Sequence, residues 1–245
     1  RQINQFYSKG HPNYVPNIDE QIAMIKEVSI ESVQSFYDDF YGVSNKASLV
    51  AIGSMDVNMV KNYFEDNFSD FKSDKPFLEI ENPFKKNVAA NENIITPDKK
   101  NAFTVGMLSA KITETDNDNA ALQVAGTIFG GGFLNSRVAT RLRQQDGVSY
   151  GAGAQVSIDS DPDDKNSALI IYAIYAPMNA EKVQIGFKEE IERFIADGIT
   201  QEELDSAING WVQGQAVSRA KDNELSSLIN NNLYFERDMD FYAAL

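Results

Sequence analysis

"FGGGFLNSRVATRLRQQDGVSYGAGAQVSID" runs from Phe129 to Asp159. It opens on Gly130, Gly131 and Gly132, passes through a helical stretch carrying Arg137, Arg141 and Arg143, and ends in a strand pattern that begins near Tyr150. A glycine run ahead of a helix raises the question of a phosphate cradle. A P-loop requires G-x-x-x-x-G-K-[ST], and no lysine stands near these glycines. A dinucleotide fingerprint follows a strand, whereas the preceding NAALQVAGTIF has helical spacing. The expected role is therefore a sharp turn between two helices, where glycine permits left-handed backbone angles without a Cβ penalty.

Working outward, GVSYGAGAQVSID and SALIIYAIYA read as two strands of a hairpin joined by the acidic turn DSDPDDKN, and NAFTVGMLSAKI is an earlier strand. Three helices follow the hairpin: AEKVQIGFKEEIERFIADG, ended by Gly198; QEELDSAINGWVQGQAVSRAK, with Thr200 as N-cap and Glu203 at the capping-box position; and ELSSLINNNLYFE. The order βααββααα predicts an α+β fold, a largely antiparallel sheet covered on one face by helices. Towards the N-terminus, apolar residues at Ile18, Ile22, Ile25 and Val28 predict one helix. Ser29 caps a second that stops at Gly42, and Asp56 caps a third whose stripe is Val57, Val60, Phe64 and Phe68. Between the last two, ASLVAIG at 47–53 reads as a short buried strand. Residues 73–100, with prolines, many charges and no period, read as a linker holding at most a short strand.

The chain has 245 residues and a formal net charge of −14, from 22 basic and 36 acidic side chains. That balance repels phosphate backbones, so no nucleic acid is expected as partner. No apolar run approaches the ~20 residues of a membrane span. Cysteine is absent, which excludes disulfides, thiolate metal sites and a cysteine nucleophile and leaves the compartment open between periplasm and cytoplasm. The chain begins RQINQFYSKG without Met and stops in the apolar FYAAL, so a longer parent protein is expected. His11 is the one histidine. One His without Cys cannot supply the three ligands of a catalytic zinc, so no metal is expected in this chain. A Ser-His-Asp triad would have to use His11 and carries little weight. The turn DSDPDDKN lacks the Gly and closing Glu of a calcium loop and reads as a solvated turn.

Arg143 and Tyr150 stand seven residues apart across Gly147. On the residues alone two readings stand: a surface arginine paired with nearby acids beside a half-buried strand tyrosine, which is the commoner arrangement, or a fork of donors and a phenol that grip a peptide carbonyl or carboxylate. Here the stretch resembles the non-zinc domains of the pitrilysin/insulinase family of zinc metallopeptidases, the inverzincins. GGGFLNSRVATRLRQQDGVSY is similar to their glycine turn followed by Ser-Arg and an Arg-x6-Tyr pair, here Arg143 and Tyr150. GHPNY at 10–14, SIESVQSFYDDFYGVSNKASLVAIGSMDVNMVKNYF and DGITQEELDSA resemble further family segments in the same order. The family's H-x-x-E-H zinc motif does not occur here.

The resemblance implies a metallopeptidase-domain-like roll. Residues 1–72 would be the closing helix–strand–helix portion of one homologous domain, 73–100 a linker, and 101–245 the second, truncated α+β domain. It implies a zinc-free part of a zinc-dependent metalloendopeptidase that closes a chamber on peptide or unfolded polypeptide substrate. Arg143 and Tyr150 would hold the substrate, Gly130, Gly131 and Gly132 would pack helices near them, and the zinc would sit in a catalytic half or partner subunit. The fragment alone would be inactive. The rival reading is a non-catalytic scaffold or core subunit, or a protein-binding module, of the same fold. The pattern also leads us to expect strand 47–53 to complete the sheet of the second block, within one chain or by exchange in a homodimer.

Overall fold

Side-chain caps set the helix starts. Asn17 accepts the Glu20 N–H while the Glu20 carboxylate takes the Asn17 N–H, opening α1 (Ile18–Lys26) with a capping box. Ser29 and Ser32 exchange the same pair of bonds ahead of α2 (Ile30–Phe40). Asp56 accepts from the N–H groups of Asn58 and Met59 at the head of α3 (Val57–Phe68). Each cap satisfies donors that the first helical turn leaves without a partner. This computed structural model describes residues 5–43, 47–73, 75–132 and 135–241.

After α3 the chain forms β1 (Ala102–Ala110) and α4 (Asn119–Gly126), the latter widening into a π-helical turn over Thr127–Gly131. Next comes α5 (Arg137–Ala139), which widens likewise over Thr140–Gln145. The chain continues through β2 (Ser149–Ser157), β3 (Ser167–Tyr175), a 3₁₀ turn over Pro177–Asn179, α6 (Ala180–Asp197), α7 (Gln201–Arg219) and α8 (Asp222–Tyr234). The contacts divide this into two compact units, one of Arg1–Glu81 with Val217–Leu245 and one of Asn82–Ala216.

In the second unit the sheet is antiparallel with order β1-β3-β2, so β3 is central and β2 lies at an edge of the described ladder. One face carries the core. Ala152, Ala154, Ala173 and Tyr175 from the strands meet Phe129, Val138, Leu142, Val183 and Phe187 from the helices. Small residues on the strands let the helices approach closely. Leu142 is wholly buried, and burial of that kind contributes about 1.5–3 kcal/mol. α6 reaches the core through Val183, Gly186, Phe187 and Glu190, spaced three and four apart as a helical stripe must be. On the opposite face Phe103, Val105 and Met107 of β1 and Tyr172 and Ile174 of β3 are exposed. The sheet is thus covered by helices on one side, as expected.

In the first unit, Tyr37 of α2 lies 6.2 Å from Phe71, which follows α3, and within α3 Phe64 stacks on Phe68 at 5.0 Å. Tyr234 of α8 donates to Glu79 at 2.7 Å. None of α1, α2 or α3 contains a buried residue, the stripe Val57, Val60, Phe64 and Phe68 included.

The strand expected at 47–53 does not form. Those residues carry no ladder bonds and run as irregular backbone. An apolar run becomes a strand only beside another strand, and the described residues of its unit offer none. Ser48 instead donates to Asn230 of α8 at 2.6 Å. Within this single chain the described sheet consists of β1, β3 and β2.

Candidate functional site

The glycine turn is built for close approach. A Cβ at Gly130 would lie 2.1 Å from the Ala154 backbone nitrogen and 2.3 Å from its Cβ, and one at Gly126 would lie 2.2 Å from Val156 Cγ2. The helix therefore rests directly on β2. The left-handed backbone expected for Gly130, Gly131 and Gly132 is absent, since the glycines with positive φ are Gly10, Gly53, Gly147 and Gly198. The helix ends by widening, with the Gly132 N–H reaching the Thr127 carbonyl at 2.8 Å. The next helix ends the same way, Asp146 N–H to Arg141 carbonyl at 3.0 Å, before Gly147 at φ 61 turns the chain into β2. π-helical turns of this sort cost regular hydrogen bonding and recur at functional sites.

The three arginines part company along this segment. Arg137 makes a bidentate pair with Glu203, at 2.6 and 2.7 Å, and donates to the Gly198 carbonyl at 2.8 Å. Arg137 above all holds the Glu203 carboxyl down at about 2, aided by the Thr200 N–H, and the arginine's own pKa is raised in return. Arg141 bonds Asp146 at 2.8 Å and Glu189 at 2.6 Å. Beside them Glu190, 4% exposed in its side chain, contacts Arg193 at 3.0 Å. These groups surround a small cavity of about 250 Å³.

Arg143 points elsewhere. It lines a cavity of about 440 Å³ with Gln123, Thr127, Gly130, Gly131, Tyr172 and the β2 backbone from Gly151 to Val156. Tyr150 sits in the β-bulge between Ser149 and Gly151, where the register with β3 shifts, and is 66% exposed. A bulge of this type re-aims the side chain it carries. Among the described residues the Tyr150 side chain has no hydrogen-bond partner. The structure thus places Arg143 in the wall of the cavity and Tyr150 on the adjoining bulge, next to cavity-lining Gly151.

His11 serves a local turn: its ring stacks on Tyr7 at 4.5 Å and its Nδ1 accepts the Asn13 N–H at 3.0 Å. The acidic turn folds on itself, Asp159 accepting from Asp161 and Asn166 and Asp161 from Asp163. Among the described residues no group of three or more metal-ligating side chains is placed to hold an ion. No helix of the described residues is long and apolar enough to cross a membrane. Tyr172, Gln123 and Gln155 also line the larger cavity and were not singled out from sequence. Tyr172 alternates with buried Ala173 and Tyr175 in the structure, but in sequence both faces of this strand are apolar and do not mark it.

The sequence profile of the peptidase M16 inactive domain matches residues 27–210. The chain belongs to this family. As an M16 inactive domain it is of the non-catalytic kind in this peptidase family. Its fold is that of the peptidase M16 inactive domain from Pseudomonas fluorescens, with a TM-score of 0.76 at 16% identity, covering 99% of this chain and 56% of that one. A protease from Helicobacter pylori gives a TM-score of 0.68 at 15% identity, covering 90% of this chain and 52% of that one. The ferredoxin protease FusC, solved as a mutant in complex with Arabidopsis ferredoxin, gives 0.59 at 14% identity, covering 96% of this chain and 26% of that one. This M16 domain thus spans about half the length of the first two. No curated protein sequence matches it.

Proposed function

We propose that this chain is the substrate-holding, zinc-free part of a zinc-dependent metalloendopeptidase, with Arg143 and Tyr150 gripping the peptide. The observation that carries this is Tyr150: a bulge turns it out of the sheet, unpartnered among the described residues, beside the cavity that Arg143 lines. A tyrosine kept for packing gains stability by burial, and this one is left in water. Arg143 donates its fork to a main-chain carbonyl, and Tyr150 donates its phenolic proton to a neighbouring carbonyl oxygen, strengthening as charge gathers there. The edge position of β2 suits an extended peptide laid alongside it. Zinc belongs to a catalytic half or partner subunit, since one histidine without cysteine does not make a catalytic zinc site.

The test is made in the full-length protein. Tyr150→Phe removes one donor and no volume, and kcat/KM for an unstructured peptide is expected to fall about 10²-fold or more, as for loss of an oxyanion donor. Arg143→Ala is expected to fall as far. Thermal midpoints should match the parent, because neither side chain is in the core. If both variants keep parental kcat/KM, the substrate-holding role is wrong and the scaffold reading takes its place.

A further inference from the structure

Tyr172 stands at the middle of β3, directly opposite Gly153 of the edge strand. Gly153 has no side chain, and the tyrosine occupies the vacated space. A Cβ at position 153 would lie 3.1 Å from the Tyr172 hydroxyl, 3.3 Å from its Cζ and 3.0 Å from the Gly130 carbonyl oxygen. The phenol therefore lies across β2 and brings its hydroxyl to the glycine turn, in the wall of the cavity that Arg143 lines. The ring meets Phe103 at 6.4 Å, and among the described residues the hydroxyl has no hydrogen-bond partner. Tyr175, three residues on, behaves oppositely: it is buried in the core and its hydroxyl bonds Thr104. The sheet satisfies the phenol in its core and leaves unspent the one at the cavity.

We propose that Tyr172 is a second substrate-binding phenol, which donates to a main-chain carbonyl of a peptide seated in this cavity, and that Gly153 is glycine so that the ring can cross the strand. The wall chemistry selects an amide-bearing chain over a small anion. Arg143 and Tyr172 donate, but Gln123, Gln155 and Thr127 and the strand backbone bring acceptors as well. A peptide group satisfies both kinds, whereas an anion would leave the acceptors facing its charge. This rests on the substrate-holding role proposed above.

The experiment measures fluorescence anisotropy of a dye-labelled unstructured peptide titrated with the full-length protein, so that binding is read without turnover. Tyr172→Phe keeps the ring and removes the donor, and is expected to weaken Kd roughly 3- to 10-fold at an unchanged thermal midpoint. Gly153→Ala is expected to weaken it further by pushing the phenol aside. Arg143→Ala and Tyr150→Phe run beside them as the reference. Weakened binding in the reference pair with a parental Kd in Tyr172→Phe overturns the Tyr172 inference alone. Parental Kd in all four, or no binding by the parent, overturns the substrate-holding role along with it. Since Tyr172→Phe is isosteric, a fold defect in Gly153→Ala leaves the decision to Tyr172→Phe.

Discussion

A methyl group added at Gly130 has nowhere to go. Its nearest neighbour, at 2.1 Å, is backbone nitrogen of Ala154, which cannot swing away as a side-chain tip can. One residue on, a Cβ at Gly131 would meet the Gly126 carbonyl oxygen at 3.4 Å, an ordinary contact. The two glycines should therefore respond in opposite directions. Gly130→Ala is expected to cost about 1–3 kcal/mol or more by overpacking, and Gly131→Ala to gain about 0.5–1 kcal/mol from reduced backbone entropy in the unfolded chain. Urea unfolding of the two variants checks this, and a Gly131→Ala loss equal to that of Gly130→Ala would show that the turn needs glycine throughout. The triplet was legible in sequence as a packing device. The physical reason was not, because a short spacing between a helix and a strand leaves no mark distinguishable from a left-handed turn. Tyr172 escaped notice for a related cause. In SALIIYAIYA both faces of the strand are apolar, so the alternation alone could not say which of Tyr172 and Tyr175 would be buried.

At the scale of elements, short-range rules read well and long-range ones did not. Ser29, Asp56 and the Thr200–Glu203 box each cap the helix expected, since a cap needs only residues within one turn. The run 47–53 failed as a strand because pairing depends on a neighbour from far along the chain. Glu203 shows both ranges at once: it closes the box with Thr200 and also takes Arg137 from α5, 66 residues away. This pair ties the segment that presents Arg143 to the head of α7, and it has a pH signature. The Glu203 carboxyl is depressed from its ordinary 4.5 to about 2, chiefly by Arg137. A depressed carboxyl contributes stability that is complete above its unfolded value and is lost as pH falls through the folded one. Stability is thus expected to drop as pH falls from about 4.5 to about 2. Glu203→Gln should lower the thermal midpoint at neutral pH and flatten that acid limb. A Glu203→Gln limb as steep as the parent's would place the acid sensitivity on other carboxylates.

Over the whole molecule, the distribution of apolar surface departs from what a self-contained protein shows. Among the described residues the uncovered sheet face of one unit presents Phe103 at 62%, Val105 at 54% and Met107 at 47% exposure. In the other unit α2 leaves Ile30, Val33, Phe36 and Phe40 each more than half exposed. Contiguous apolar surface of large extent marks places that meet other protein. The solved structures it resembles are about twice its length, so the comparison that matters is between this chain and the full-length protein. The net charge of −14 opposes self-association without hiding the patches. The 245-residue chain alone is therefore expected to bind the dye ANS strongly at neutral pH while keeping near-UV circular dichroism and a cooperative melt. That combination separates exposed native surface from a molten globule, which binds ANS but loses its near-UV signal. The full-length protein should bind markedly less dye per mole of this segment. Weak ANS binding by the isolated chain would mean that these faces are not open in solution, and equal binding by both proteins would mean that the rest of the full-length protein does not cover them.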